Sequence, residues 1–139
     1  MAMNPRYLVD KSALARQHLQ PVAERVLPLT SLGLVSTCAV IDLEVLYSAR
    51  NRSEYLEMAA ERCRLPSVEI NSRVTARSLA VQGQLARKGR HRLPIPDLLI
   101  AAAAEVNNLV LLHYDADFDR IAAVTGQETE WVVPKGSVA

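Results

Sequence analysis

This sequence predicts an α/β fold, with a central, mostly parallel sheet between layers of helices. Three observations carry that expectation. Short apolar runs recur along the chain, as in Tyr7-Leu8-Val9, Leu34-Val35-Ser36 and Leu109-Val110-Leu111-Leu112. Each is followed by a stretch whose apolar residues fall at helical spacing, so strands and helices alternate. The run at 109–112 is apolar at every position, which suits a strand covered on both faces. With 139 residues, half of them apolar, the chain can close one hydrophobic core. No repeat, low-complexity segment or linker divides it, so residues 1–139 are expected to form a single domain.

The elements follow in order. Tyr7 to Val9 is the first strand, and Asp10 or Ser12 starts a helical stretch that continues from about Ala13, with Pro21 opening a second segment. After the strand at Leu34-Val35-Ser36, Thr37 is expected to cap a helix carrying Val40, Leu43, Glu44 and Tyr47. A further helix runs from Ser53 to about Leu65, where Pro66 stops it. Val68-Glu69-Ile70 reads as a brief strand, and Asn71 as the cap of a helix through Val74, Leu79 and Leu85. Arg87-Lys88-Gly89 ends that helix, since cations suit its carbonyl terminus and glycine tolerates the left-handed turn. Pro94 and Pro96 are expected to hold the chain extended before Asp97 opens an alanine-rich helix to about Val106. Past the strand at 109–112, Asp115 and Asp117 precede a helix with Phe118, Ile121 and Ala122 on one face. Glu130-Trp131-Val132-Val133 is the last strand.

Composition narrows the function. A formal net charge of +1 neither demands nor excludes a nucleic-acid partner. Cys38 and Cys63 lack any Cys-x-x-Cys spacing and are expected to be two buried thiols in a reducing cytoplasm. The chain has no apolar stretch of membrane-spanning length and no signal-peptide core, so no membrane association is expected.

The carboxylates are the informative residues. Ligands of open α/β sheets bind beyond the carboxyl ends of the strands. Asp10 ends the first strand, while Asp115 and Asp117 lie just past 109–112. Glu44 lies about two turns into the helix after the second strand, and Asp97 opens the buried helix. Taken singly, Asp10, Asp97, Asp115 and Asp117 can each be a helix cap. Asp119 reads as first-turn helix charge. Glu44, among Ile41, Leu43, Val45 and Leu46, either follows a solvated stripe or faces a positive partner. If the five converge, they need a counter-charge, and oxygen-only ligands suit magnesium or manganese. Scattered His18, His91 and His113 make zinc a poor fit. The chain has no glycine-rich phosphate loop and no Gly-x-Ser-x-Gly around Ser12, which leaves a metal-dependent nuclease or phosphatase.

Four segments in order now resemble a known family. They are Tyr7-Leu8-Val9-Asp10-Lys11-Ser12-Ala13-Leu14, Ile41-Asp42-Leu43-Glu44-Val45-Leu46, Pro94-Ile95-Pro96-Asp97-Leu98-Leu99-Ile100-Ala101-Ala102, and His113 through Ala122. Across essentially its whole length the chain is similar to PIN domains, and more closely to the VapC toxins of VapBC toxin–antitoxin pairs. The resemblance implies a PIN-like three-layer sandwich and a magnesium-dependent endoribonuclease, with manganese as a possible substitute and one or two ions bound. It further implies a toxin that cleaves RNA and slows growth when freed from its antitoxin. Asp10, Glu44, Asp97 and Asp115 match the acidic metal-binding quartet, Asp117 the further carboxylate two residues on, and Ser12 the hydroxyl supporting the first aspartate. The implied partners are RNA, a cognate VapB-type antitoxin and a second copy in a homodimer, with higher assembly alongside the antitoxin and operator DNA reached only through it. Lys11 stands where the family often has threonine, and His113 where a hydroxyl residue is common.

Positive residues near the site are candidate RNA-phosphate contacts: Lys11 and, in the densest basic stretch, Arg87, Lys88, Arg90 and Arg92. Helix ends also attract cations, which is the alternative for that stretch. Arg73 and Arg77 are weaker candidates. Leu14, Val40 and Leu56 are either walls of an antitoxin groove or core. Two rival readings are weighed. A receiver-like signalling module would need paired acids near its first strand and a late lysine after a strand, but Lys135 lies beyond the last strand. A haloacid-dehalogenase-like phosphatase would need Asp-x-Asp, which Asp10-Lys11-Ser12 lacks.

Overall fold

The computed structural model describes residues 4–139. In chain order its elements are β1 (Tyr7–Val9), α1 (Lys11–Leu14), α2 (Gln20–Ser31), β2 (Val35–Cys38), α3 (Ala39–Tyr47) and α4 (Arg52–Cys63). They continue with β3 (Ser67–Val68), α5 (Ser72–Ala86), α6 (Ile95–Val106), β4 (Val110–His113), α7 (Ala116–Thr125) and β5 (Thr129–Trp131). The strands form one sheet in the order β3-β2-β1-β4-β5, and every pairing is parallel. The three-layer α/β expectation therefore holds. A receiver-like module of the flavodoxin order 2-1-3-4-5 does not fit, because β3 lies outside β2.

Alternation along the strands builds two cores. Leu8 and Leu111 point to one face, where they meet Ile41, Val74, Leu85, Ile100 and Phe118 from α3, α5, α6 and α7. Tyr7, Val9, Val110 and Leu112 point to the other, against Ala13, Val22 and Val26 of α1 and α2. Strands with period-two side chains and both faces covered need apolar residues throughout, which is why β1 and β4 are uniformly buried. The alanines of α6 (Ala101 to Ala104) are buried and let this helix sit close to its neighbours. Leu14 and Val40 pack on the cores, whereas Leu56 is half exposed on α4, a helix with no buried residue.

Several local expectations are corrected. Thr37 does not cap α3 but lies inside β2. Its hydroxyl donates to Asp42 at 2.8 Å and accepts from Arg62 at 2.8 Å. α4 starts at Arg52, one residue before Ser53, because the Asn51 Oδ1 accepts the Glu54 amide at 2.8 Å and caps it. β3 starts at Ser67 and ends at Val68, and Ile70 turns into the core instead of continuing the strand. Pro96 lies within the first turn of α6, where a missing N–H leaves no bond unmade. Cys38 is buried, but Cys63 is exposed at the end of α4, and both are free thiols. The last strand comes slightly early, at Thr129–Trp131. No helix among the described residues is long and apolar enough to cross a membrane.

Candidate active site

The sheet order reverses between β1 and β4, and the crevice beyond their carboxyl ends is where an α/β sheet accepts ligands. Asp10 leaves β1 at this crevice, with its amide tied to the Leu112 carbonyl of β4 at 2.9 Å. Its Oδ2 accepts the Ser12 amide at 2.9 Å and so caps α1, but its Oδ1 is buried with no hydrogen-bond partner. Asp115 in turn caps α7, as its Oδ1 accepts the Asp117 amide at 2.9 Å. A cap employs one carboxylate oxygen and leaves the other available, so the capping and site readings of Asp10 and Asp115 are compatible. Asp97 is not a cap. It lies in the first turn of α6, buried, and is delivered by the turn at Pro94.

Two further contacts fix the frame. The Ser12 hydroxyl accepts the Tyr114 amide at 2.9 Å, joining α1 to the segment that carries Asp115. Ser12 meets Asp10 through its backbone amide, and its hydroxyl also steadies the opposite wall. His113 is fully buried between the rings of Phe118 and Trp131, and its Nδ1 accepts the Asp115 amide at 3.1 Å. A histidine at this place therefore retains support for the fourth aspartate. Burial lowers its pKa to about 4, so it is the neutral ring that accepts. Asp119 also does more than supply helix charge, since both its oxygens lie 3.2 Å from the Trp131 indole nitrogen.

The predicted carboxylates come together in two overlapping groups. Oxygens of Asp97, Asp115 and Asp117 lie within 4.8 Å of one another. Asp10, Glu44, Asp97 and Asp115 line one cleft of about 280 Å³ with Lys11, Ser12, Ala15 and Arg16. Asp97 and Asp115 belong to both groups. Burial, followed by the charges of Asp10, Asp115, Asp117 and Glu44, pushes the Asp97 carboxyl up to about 7. Asp10 is raised mainly by burial, against the lowering effect of its bonds to Ser12. Glu44 is raised by burial and by Asp10, while Lys11 pulls it down. None of the ion pairs among the described residues involves Asp10, Glu44, Asp97 or Asp115. Asp10 and Asp97 are buried and raised in part by neighbouring acids, and with no ion-pair partner they fit a hard divalent cation; the unpartnered Asp10 Oδ1 fits it as a ligand atom.

The basic stretch divides. Arg90 and Arg92 line a second cleft with Gly89, Leu93 and Arg120, whereas Arg87 and Lys88 border another depression with Gln84 and Val124. Gly89 has φ +67°, and the left-handed turn there redirects the chain after α5. Arg77 is engaged by Glu105, which removes it as a free phosphate contact. Sequence reasoning missed Arg16, in the acidic cleft, where it donates to the Ser12 carbonyl at 2.7 Å and lies over the Tyr114 ring. It also missed Arg120. Their spacings, one helical turn from Ser12 and from Asp117, were the available signals.

The fold and this acidic edge agree with comparisons to known proteins. The PIN domain family model matches residues 7–124, and the chain belongs to the PIN-domain family, within its VapC group. It is 44% identical to Ribonuclease VapC51 of Mycobacterium tuberculosis over 133 residues, covering 96% of this chain and 97% of that protein. It is also 44% identical to Ribonuclease VapC21 of the same species over 137 residues, covering 97% and 99%. Among solved structures, DNA-bound VapBC from Salmonella typhimurium superposes with a TM-score of 0.75 at 20% identity, covering 93% of this chain and 99% of that one. At that identity the likeness speaks for the fold.

Proposed function

We propose that this protein is a VapC-type toxin: a magnesium-dependent endoribonuclease, with manganese able to substitute, that cleaves RNA and slows growth unless its cognate VapB-type antitoxin silences it. The observation that carries the reading is the convergence of Asp10, Glu44, Asp97 and Asp115 on one cleft, with Asp117 against two of them. The names of its relatives, Ribonuclease VapC, support RNA as the substrate. Solved VapBC complexes of the same fold support an antitoxin partner. The same reading takes the protein to act in the cytoplasm as a homodimer, with higher assembly alongside the antitoxin and operator contact only through it.

Asp10, Glu44, Asp97, Asp115 and Asp117 would hold one or two ions. Such an ion supplies Lewis acidity that activates water and offsets charge developing on the scissile phosphate. The chain's own part is to prepare that place. Burial and its acidic neighbours hold the Asp97 carboxyl up to about 7, and it must be ionised to serve as a ligand. Ser12 and His113 hold the two walls in register, the first on the Tyr114 amide and the second on the Asp115 amide. Lys11 and Arg16, lining the same cleft, bring positive charge to an incoming phosphate.

The test is cleavage of mixed RNAs by purified protein with magnesium, with chelator, and with the Asp97→Asn variant. Cleavage is expected only for the unmodified protein with magnesium. Chelator-resistant cleavage, or full activity of the variant, would overturn the metal-carboxylate reading. Covalent labelling by a small phosphodonor would favour the signalling rival.

A further inference from the structure

Arg120 touches both the acidic cluster and the basic cleft. It lies on α7 one turn after Asp117, and its Nη1 donates to Asp117 Oδ1. The same side chain lines the cleft of about 410 Å³ formed with Gly89, Arg90, Arg92 and Leu93. No carboxylate lines that cleft, and neither Arg90 nor Arg92 is in an ion pair among the described residues. Three guanidiniums line one concavity, and of them only Arg120 has an acidic partner, Asp117, which makes the cleft a seat for an anion. Planar guanidinium forks match phosphate oxygens in particular.

Resting on the ribonuclease reading above, we propose that this cleft seats a phosphate of the RNA strand neighbouring the one that is cut, and that Arg120 couples its occupancy to metal loading. Without metal, Arg120 is the counter-charge of Asp117. Asp97, Asp115 and Asp117 would hold a divalent cation there, and Asp117, its charge then met by the cation, would hold Arg120 less firmly. The guanidinium is half exposed and on the rim of the cleft, so it is then available to the strand. The relation is reciprocal: a phosphate held by Arg120 leaves Asp117 freer for the cation.

Two titrations test this. Calorimetric binding of Mn²⁺ without RNA is compared for the unmodified protein, Arg120→Gln, Arg92→Gln and Asp97→Asn. Binding of a labelled single-stranded RNA with phosphorothioate linkages, chosen to slow cleavage, is measured across a salt series with Mn²⁺ present and in chelator. Arg120→Gln is expected to tighten Mn²⁺ by about threefold to tenfold, the effect of removing one nearby positive charge. With Mn²⁺ present the same variant should weaken RNA binding and lower the log–log salt slope by about 0.7, one phosphate contact on a single strand, and in chelator it should change the slope less. Arg92→Gln should lower the salt slope similarly and leave Mn²⁺ binding unchanged, and Arg120→Lys should keep both properties close to the unmodified protein. Opposite signs for metal and RNA in Arg120→Gln are not what a merely structural arginine produces. If Arg120→Gln leaves Mn²⁺ binding unchanged, or moves it no further than Arg92→Gln does, the coupling is wrong. An unchanged salt slope in both variants removes the phosphate seat. Undiminished Mn²⁺ binding by Asp97→Asn would instead overturn the metal site itself, so the two failures are distinguishable.

Discussion

Two acids stand two residues apart on α3, and the fold treats them in opposite ways. Asp42 is matched by Arg62, whose Nε lies 2.9 Å from its Oδ1, and by the Thr37 hydroxyl at 2.8 Å. The Arg62 fork also donates to that hydroxyl, which closes a three-membered knot between β2, α3 and α4. Glu44 has no such partner. It lines the cleft with Asp10, Asp97 and Asp115, and burial, followed by the charge of Asp10, raises its pKa. Asp42 thus comes with its counter-ion from the same chain, whereas Glu44, on the metal-binding side, is left without one.

Removing a member of each group should expose the difference. Asp97→Asn is expected to cut magnesium-dependent RNA cleavage by at least about 100-fold, since a direct ligand matters more than the outer groups that cost 10–100-fold. Its melting temperature without metal should equal or exceed that of the unmodified protein at neutral pH, because a buried like-charge conflict is relieved. Arg62→Ala should do the reverse. It should lose about 2 kcal/mol in chemical denaturation, as a partly buried acid loses its partner, and keep its cleavage rate per folded molecule. A loss of stability in Asp97→Asn larger than that in Arg62→Ala would erase the distinction.

pH sharpens the contrast. Asp97, raised to about 7 in the folded chain, binds more protons folded than unfolded between about pH 4 and 7, so it lowers stability as pH rises through that window. His113, lowered to about 4, binds fewer protons folded than unfolded between about 4 and 6.5, so it raises stability over nearly the same range. In chelator the two trends offset each other. Melting curves of Asp97→Asn should therefore climb by a few degrees from pH 4 to 6.5, and those of His113→Gln should fall. Slopes of the same sign in both variants would contradict this. Adding magnesium should raise the melting temperature of the unmodified protein more at pH 8 than at pH 5, because its ligands must be ionised. The smallest effect belongs to the exposed Arg50–Glu54 pair at 3.0 Å: Arg50→Ala should cost about 0.5 kcal/mol or less.

Much of this was legible in the residues. The uniformly apolar run at 109–112 and the alanine-rich stretch after Asp97 are buried as their composition required, and the carboxylates sit at strand ends because the chain order puts them there. The misplaced details had a common cause. Thr37 looked like a cap, since a hydroxyl before a helix usually is one, but its hydroxyl is claimed by Asp42 and by Arg62 from a helix twenty-five residues on. Cys63 looked buried because cysteines usually are, yet α4 turns no residue into the core.

The sequence by itself determined which elements form and which acids are available, because periodicity, caps and prolines act over a few residues. It could not decide which acids stay unpaired. That depends on contacts between elements distant along the chain: Arg62 reaching Asp42, Arg77 reaching Glu105, and α6 bringing Asp97 beside Asp10 and Asp115. Charge interactions operate through space at a few ångströms, so only the packed chain could separate the acids that are neutralised from those left open to a cation.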